Sequence, residues 1–235
     1  MIKHAIILAG GEGSRLRPYT LVLPKPLMPI GDYAILELII LQLKRFKFNR
    51  ITLAVGYKAN LIKSFFGNGE KHGIKIDYVY EKKKLGTMGP LHLVKDLRDD
   101  FIVMNGDILT DINYLKFLKK HIKNRNLFTI AAYNRNQKID YGVLNVKNNH
   151  VLNFSEKPKY KFKVSMGIYA LNSKILKFIP KNKFYGFDNL VLNLLKLKKK
   201  INVHNHNRIW FDIGRQDDYF QANDNFNKLK KSLIK

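Results

Sequence analysis

Residues 5–30 read Ala-Ile-Ile-Leu-Ala-Gly-Gly-Glu-Gly-Ser-Arg-Leu-Arg-Pro-Tyr-Thr-Leu-Val-Leu-Pro-Lys-Pro-Leu-Met-Pro-Ile, an apolar run that breaks into a glycine-rich turn and then presents Arg15 and Lys25 among prolines. Without Cβ atoms the turn can bring backbone N–H groups close to an anion, and the two cations suit phosphate oxygens. The stretch reads as a phosphate cradle. It is neither of the two common glycine loops. Gly11-Glu12-Gly13-Ser14-Arg15-Leu16 puts leucine where a dinucleotide fingerprint needs its third glycine, and no Gly-Lys-Ser/Thr sequence occurs here.

The elements that must hold this cradle follow from the hydrophobic pattern. Short β-branched runs at Lys3–Ala9, Arg50–Val55, Ile74–Val79 and Phe101–Met104 alternate with amphipathic stretches over Tyr33–Phe46, Lys58–Phe66 and Thr87–Leu97. Strands alternating with helical segments predict an α/β fold with a parallel sheet. Asp111 is placed to cap a further helix, in which Leu115, Leu118 and Ile122 make one buried stripe. After about Leu127 the pieces shorten to Leu127–Tyr133, Tyr141–Val146, Val151–Phe154 and Val164–Ala170, which predicts antiparallel or mixed strands added to the sheet. Helices are expected over Phe187–Lys198 and from Arg215 to the end, the latter capping its own sheet. A chain of 235 residues fits one domain, 1–235, with residues 1–126 forming one half and 127–235 the other.

Composition narrows the partners. Hydrophobic residues make up 46% of the chain, enough to offset chain entropy and to exclude a disordered protein. The absence of cysteine removes disulfide scaffolds, Cys-ligated zinc, iron–sulfur clusters and thiol nucleophiles, and fits a cytoplasmic protein. A net charge of +25 points to an anionic partner: nucleic acid, a membrane surface or a phosphorylated small molecule. A solvated lysine-rich surface explains the charge equally well. No apolar run is long enough to be a signal peptide core or a membrane span.

The sequence resembles the sugar-phosphate nucleotidyltransferases, whose signature G-G-x-G-x-R-L-x-P-x-T followed by P-K-P-L-x-P is matched by residues 10–20 and 24–29. Asn105-Gly106-Asp107, Tyr141-Gly142, Glu156-Lys157-Pro158 and Trp210-Phe211-Asp212-Ile213-Gly214 follow in the family's order. The resemblance implies a Rossmann-like three-layer fold around a mixed, mostly parallel sheet, with the first half binding the nucleotide and the second the sugar phosphate. The implied reaction transfers a nucleoside monophosphate from a triphosphate to a sugar 1-phosphate, releasing pyrophosphate, in surface polysaccharide or glycoconjugate synthesis. Arg15 and Lys25 are then the catalytic cations, Arg15 on the triphosphate and Lys25 near the α-phosphate and leaving group. Asp107 and Asp212 converge on Mg²⁺; two carboxylates suffice when phosphate oxygens and water complete its shell. Leu8, Ala9, Gly10, Gly11, Gly13, Glu81, Gly86 and Thr87 surround the nucleotide. Asn105, Gly142, Glu156, Lys157 and Ser165 face the sugar phosphate, Lys157 toward its phosphate and Glu156 toward its hydroxyls. Taken alone, Asp107 reads equally as a turn aspartate, and Glu156-Lys157 as a surface pair.

The base is read from Tyr80-Glu81-Lys82-Lys83-Lys84-Leu85-Gly86-Thr87-Met88-Gly89, which resembles the stretch lining the base pocket in guanylyl-transferring members and in several uridylyl- and thymidylyl-transferring ones. A carboxylate at Glu81 can accept from both N1–H and the 2-amino group of guanine, which favours GTP; orienting a loop lysine or a backbone amide is its other reading. The implied partners are therefore a nucleoside triphosphate and a sugar 1-phosphate, acting in a monomer or homodimer, with no nucleic acid and no membrane. The look is that of mannose- or heptose-1-phosphate guanylyltransferases. Two positions depart: Ser165 stands where many relatives carry Asn, and Ala34 where proline is usual. The rival readings are a thymidylyl-, uridylyl- or cytidylyltransferase on a hexose 1-phosphate or on a non-sugar phosphate such as phosphocholine, and, further off, a nucleic-acid-binding protein. A glycosyltransferase fits poorly, since Asn105-Gly106-Asp107 lacks the first aspartate of a D-x-D metal site.

Overall fold

A computed structural model describes residues 3–214 and 216–234. Among the described residues thirteen strands appear in chain order: β1 (His4–Ala9), β2 (Pro29–Ile30), β3 (Tyr33–Ala34), β4 (Arg50–Val55), β5 (Lys75–Tyr80), β6 (Asp100–Asn105), β7 (Ile108–Thr110), β8 (Phe128–Lys138), β9 (Val143–Lys147), β10 (His150–Ser155), β11 (Lys159–Asn172), β12 (Asn202–His206) and β13 (Trp210–Asp212). The helices are α1 (Ile35–Arg45), α2 (Ala59–Phe66), α3 (Tyr114–Lys123), α4 (Phe187–Lys196), α5 (Gln216–Asp224) and α6 (Phe226–Ile234). Seven strands form one mixed sheet in the order β12-β8-β11-β6-β1-β4-β5. Pairs β6–β1, β1–β4 and β4–β5 are parallel, whereas β11 runs antiparallel to both β6 and β8.

The two-residue period of the strands builds the three layers. In β1, Ala5, Ile7 and Ala9 join the core beneath α1, while Ile6 joins the opposite one. In β6, Ile102 and Met104 face the first core, Phe101 and Val103 the second. Strands buried on both faces read as unbroken apolar runs, which is why β1, β4 and β6 were visible in the sequence. The parallel strands place all their carboxyl ends, Ala9, Val55 and Asn105, on one edge, where open α/β sheets bind their ligands.

Four expectations are corrected. The segment Thr87–Leu97 contains a short 3-10 turn at Gly89–Leu93 rather than an α-helix. Gly86 sits at φ +76°, Pro90 has no N–H, and Met88 and Gly89 donate instead to Tyr185 O at 3.0 and 3.2 Å. The cap of α3 is Asn113, whose Oδ1 accepts from Lys116 N at 2.9 Å; Asp111 has other work, described below. The C-terminal segment is two helices, α5 and α6, that break at Asn225; Arg215, the expected start, lies outside the described residues. Helix α1 begins at Ile35, because Tyr33–Ala34 pairs with Pro29–Ile30 as β3 with β2. No helix among the described residues is long and apolar enough to cross a membrane.

Candidate active site

The loop after β1 is shaped by what its glycines leave out. A Cβ on Gly10 would lie 2.6 Å from Glu81 Oε1, and Gly13, at φ +65°, would meet Lys25 Cβ and Thr20 Cγ2 at 3.0 Å each. The loop is tied down from outside: Thr20 Oγ1 donates to Gly13 O at 3.0 Å, Tyr57 N to Gly10 O at 3.2 Å, and Tyr57 Oη to Thr20 O at 3.2 Å. Leu16, buried in the core, anchors a 3-10 turn at Ser14–Leu16 that leaves Arg15 exposed at the rim. These contacts make the open backbone a fixed surface before any ligand arrives.

Lys25 is buried between Pro24 and Pro26 and forms an ion pair with Asp107. A charge withdrawn from water needs such a partner. Asp107 projects from the turn after β6, and Asp212 ends β13, which pairs antiparallel with β7 so that Asp212 stands opposite Ile108. Ile213 N donates to Asp107 O at 3.0 Å and closes the two carboxylate-bearing turns on each other. Gly214 marks the meeting point: a Cβ there would lie 2.8 Å from Arg15 Nη2, 2.8 Å from Asp212 Oδ1 and 3.1 Å from Lys25 Nζ. Two cations and a carboxylate from distant parts of the chain therefore converge within van der Waals reach of one point. Asp107 Oδ1 is buried with no hydrogen-bond partner, and Asp212 Oδ1 accepts from Gly214 N at 3.0 Å. An orphaned carboxylate oxygen beside a second carboxylate is a donor set that suits a hard divalent cation whose remaining ligands are phosphate oxygens and water.

Asp111, expected as a cap, clamps this arrangement. Its Oδ1 accepts from Ile209 N and lies next to His206 Nε2, both at 2.9 Å, while Arg208 Nε sits 3.0 Å from Oδ2. Thr110 Oγ1 donates to Ile209 O at 2.6 Å and Trp210 Nε1 to Met166 O at 3.2 Å. Together they fix β13 on β7, and with it Asp212.

The far end of the cavity is built around Glu81. Its Oε2 accepts from Leu85 N at 3.2 Å, and burial raises its pKa above the ordinary carboxylate value against that bond. Gly86 lets the chain pass Tyr185, whose O would stand 2.7 Å from a Cβ. Thr87 Oγ1 accepts from Phe187 N at 2.6 Å, so its hydroxyl ties the loop to the start of α4. A cavity of about 500 Å³ runs from Leu8, Ala9 and the glycine loop past Arg15 and Lys25 to Glu81, Gly86 and Thr87, with Asn105 and Asp107 on its other side.

The structure thus brings together the residues expected at the nucleotide, the two catalytic cations, Asn105 and the aspartate pair. It does not bring the rest of the sugar side into that cavity. Gly142, Glu156 and Lys157 lie on the β9–β10 hairpin and its flank, where both charged side chains are more than half exposed and sit 3.9 Å apart. They are grouped among themselves: a Cβ on Gly142 would be 3.2 Å from Glu156 Oε2. Ser165 opens a bulge in β11, between its pairings Ser165↔Ala132 and Tyr169↔Ile130, and its Oγ accepts from Gly167 N at 3.3 Å. That bulge lets Gly167, at φ +72°, pass Asn105 at a distance no side chain would permit. The sequence reading missed Glu12, Lys84 and Phe184. Lys84 Nζ reaches Glu12 Oε1 at 2.9 Å across the rim, and Phe184 lines the cavity from the loop before α4. Glu12 and Lys84 sit inside motifs already singled out; Phe184 has no local signal.

The chain is similar to known proteins over most of its length. A D-glycero-α-D-manno-heptose 1-phosphate guanylyltransferase of Campylobacter jejuni is 36% identical over 221 residues, covering 92% of this chain and 97% of its own. A UTP–glucose-1-phosphate uridylyltransferase of Synechocystis sp. is 30% identical over 239 residues, covering 93% of this chain; the chain spans only 62% of that relative's length. Among solved structures, HddC from Yersinia pseudotuberculosis complexed with GMP-PN superposes with a TM-score of 0.70 at 26% identity, covering 96% of this chain and 100% of its own. The nucleotidyl transferase family model matches residues 4–228, from the first strand into the last helix, and the chain belongs to that family.

Proposed function

We propose that the protein transfers a nucleoside monophosphate, GMP by preference, from its triphosphate to a sugar 1-phosphate. The observation that carries this is the convergence of Arg15, Lys25 and Asp212 on Gly214 beside Asp107, at the phosphate end of a cavity whose other end holds Glu81. An oxygen of the sugar phosphate attacks the α-phosphorus; the new P–O bond forms as the α–β bridging bond breaks, and its electron pair leaves on pyrophosphate. The nucleophile is an anion already, since the second pKa of a phosphate monoester is roughly 6, so no general base is needed. The barrier lies in gathering like charges and in stabilising the leaving group, a task of position and electrostatics.

Arg15, on the rim, neutralises the outer phosphates and holds them in register. Lys25, buried and ion-paired with Asp107, faces the α-phosphate and the departing oxygen. Asp107 and Asp212 would hold Mg²⁺, which when bound supplies positive charge to the α-phosphate and sugar-phosphate oxygens. Glu81 accepts from the Watson–Crick edge of guanine, and its desolvation strengthens a bond that a pyrimidine can make only once. The guanylyltransferase relative and the GMP-PN complex support that base choice. Residues 1–126 supply most of the nucleotide site, 127–235 add Asp212 and carry the acceptor side, and Glu156 and Lys157 reach the sugar phosphate from the hairpin.

The test is pyrophosphate release from GTP, dTTP, UTP, CTP and ATP, each with hexose and heptose 1-phosphates and with phosphocholine, with and without EDTA. Release from GTP that requires a sugar 1-phosphate and stops with EDTA is expected. Release only with phosphocholine overturns the acceptor, and release only from another triphosphate overturns the base.

A further inference from the structure

Phe184 lines the nucleotide cavity, is 65% exposed, and belongs to neither hydrophobic core. A single exposed apolar side chain is ordinary. The backbone beside this one is held in place. Tyr185 N donates to Leu85 O at 2.9 Å, Tyr185 O accepts from Met88 N and Gly89 N, Phe187 N donates to Thr87 Oγ1, and Gly186 N donates to Asn189 Oδ1 at 2.8 Å. The residues flanking Phe184 on its C-terminal side are thus bolted to the Leu85–Gly89 segment. Its ring stands on a rigid rim with no aromatic partner among the described residues.

Its neighbourhood identifies the end of the cavity it serves. The carbonyl of Tyr185, the next residue, touches Gly86, and the same wall carries Lys84, Thr87 and Glu81; Gly10 and Gly11 contribute flat, side-chain-free backbone. A carboxylate that reads an edge, a bare backbone and an exposed aromatic face are what a planar heterocycle requires. We propose that Phe184 is a specificity-determining residue that stacks on a purine base, its larger ring area giving the preference over pyrimidines while Glu81 reads the edge. The proposal rests on the nucleotide reading above and adds to it a residue that no signature motif contains.

Equilibrium binding of GTP, UTP and inorganic tripolyphosphate to the whole protein tests it. Tripolyphosphate engages the phosphate end alone. Phe184→Leu is expected to weaken GTP on the order of ten-fold, as loss of one base–aromatic stack does, UTP by less than about three-fold, and tripolyphosphate not at all. In turnover the change falls on KM for GTP with kcat within about two-fold, since the stack is equal in ground and transition states. Phe184→Trp is expected to retain affinity and to show emission quenched by GTP and not by tripolyphosphate; the wild-type protein, whose one tryptophan is Trp210, is the reference. Unchanged GTP affinity in Phe184→Leu, equal losses for GTP and UTP, or a change confined to KM for the sugar phosphate would overturn the stack. Wild-type protein that binds GTP and releases no pyrophosphate with any acceptor would overturn the reaction, and the affinity ratios would still decide the stack.

Discussion

The loop after β1 and the hairpin β9–β10 are both assigned to substrates, yet they are built in opposite ways. The first is backed by buried strands, strapped by Thr20 and Tyr57, and presents Lys25 from a buried position. The second stands clear of the sheet: every residue of β10 is exposed, and Leu144, Val151 and Phe154 are each more than half accessible. Preorganised charge is what phosphoryl transfer needs, because cations already in place need not reorganise as the leaving group develops. Acceptor recognition tolerates a looser mount. On the proposed assignment, class of reaction and choice of sugar are carried by a buried part and an exposed one, and exchanging hairpin residues should change the acceptor while leaving the chemistry alone.

Four measurements break or sharpen that contrast. Asp107→Asn removes the carboxylate that faces both Lys25 and the proposed cation; turnover should fall by roughly 10³-fold or more, in a protein that still folds but melts lower because buried Lys25 loses its charged partner. Activity within ten-fold of wild type would end the assignment. Gly214→Ala inserts a methyl group among Arg15, Asp212 and Lys25 and should cost on the order of 10²-fold in kcat by displacing them, in a protein that still folds. On the hairpin, Lys157→Met should raise KM for the sugar phosphate about ten-fold, leave KM for GTP unchanged and shift the melting temperature negligibly, because the side chain is exposed. An equal rise in both KM values would show that the two regions are coupled.

The smallest effect concerns stability. His4, on β1, is buried against Thr52 Oγ1 at 2.8 Å, and burial, helped by Arg50, lowers its pKa from 6.5 to about 4. Between those values the unfolded chain holds a proton that the native state refuses. Stability from this group is therefore complete above about pH 6.5 and is lost as pH falls toward 4, by up to about 3 kcal/mol. Urea unfolding across that range should show the slope in wild type and a flatter one in His4→Gln; parallel curves would exclude His4 as its source.

Much of the rigid region was legible in the sequence. Backbone geometry dictates glycine where a Cβ would strike Glu81 or Lys25, and strands buried on both faces advertise themselves by unbroken β-branched runs. What escaped depends on partners far along the chain. Periodicity makes Thr87–Leu97 a helix, since nothing local says that Tyr185 will take two of its amides. Asp111 looks like a cap until Ile209 and His206 arrive to claim it. Phe184 sits in a lysine-rich loop and comes to the cavity only when that loop is docked. The hairpin was foreseen as strands, but its distance from the cavity has no signature in residue types.

Strand β13 pairs with β7, and Tyr185 with Leu85 and Met88, so both ends of the cavity are completed by contacts across about a hundred residues. During synthesis the glycine loop, Lys25 and Asp107 leave the ribosome while Asp212 is still to be made. An emerging chain therefore carries a phosphate-attracting loop without the second carboxylate. Competence arrives late and all at once, when the last quarter of the polypeptide docks, and abortive products ending before Trp210 are expected to be inert toward the triphosphate rather than partly active.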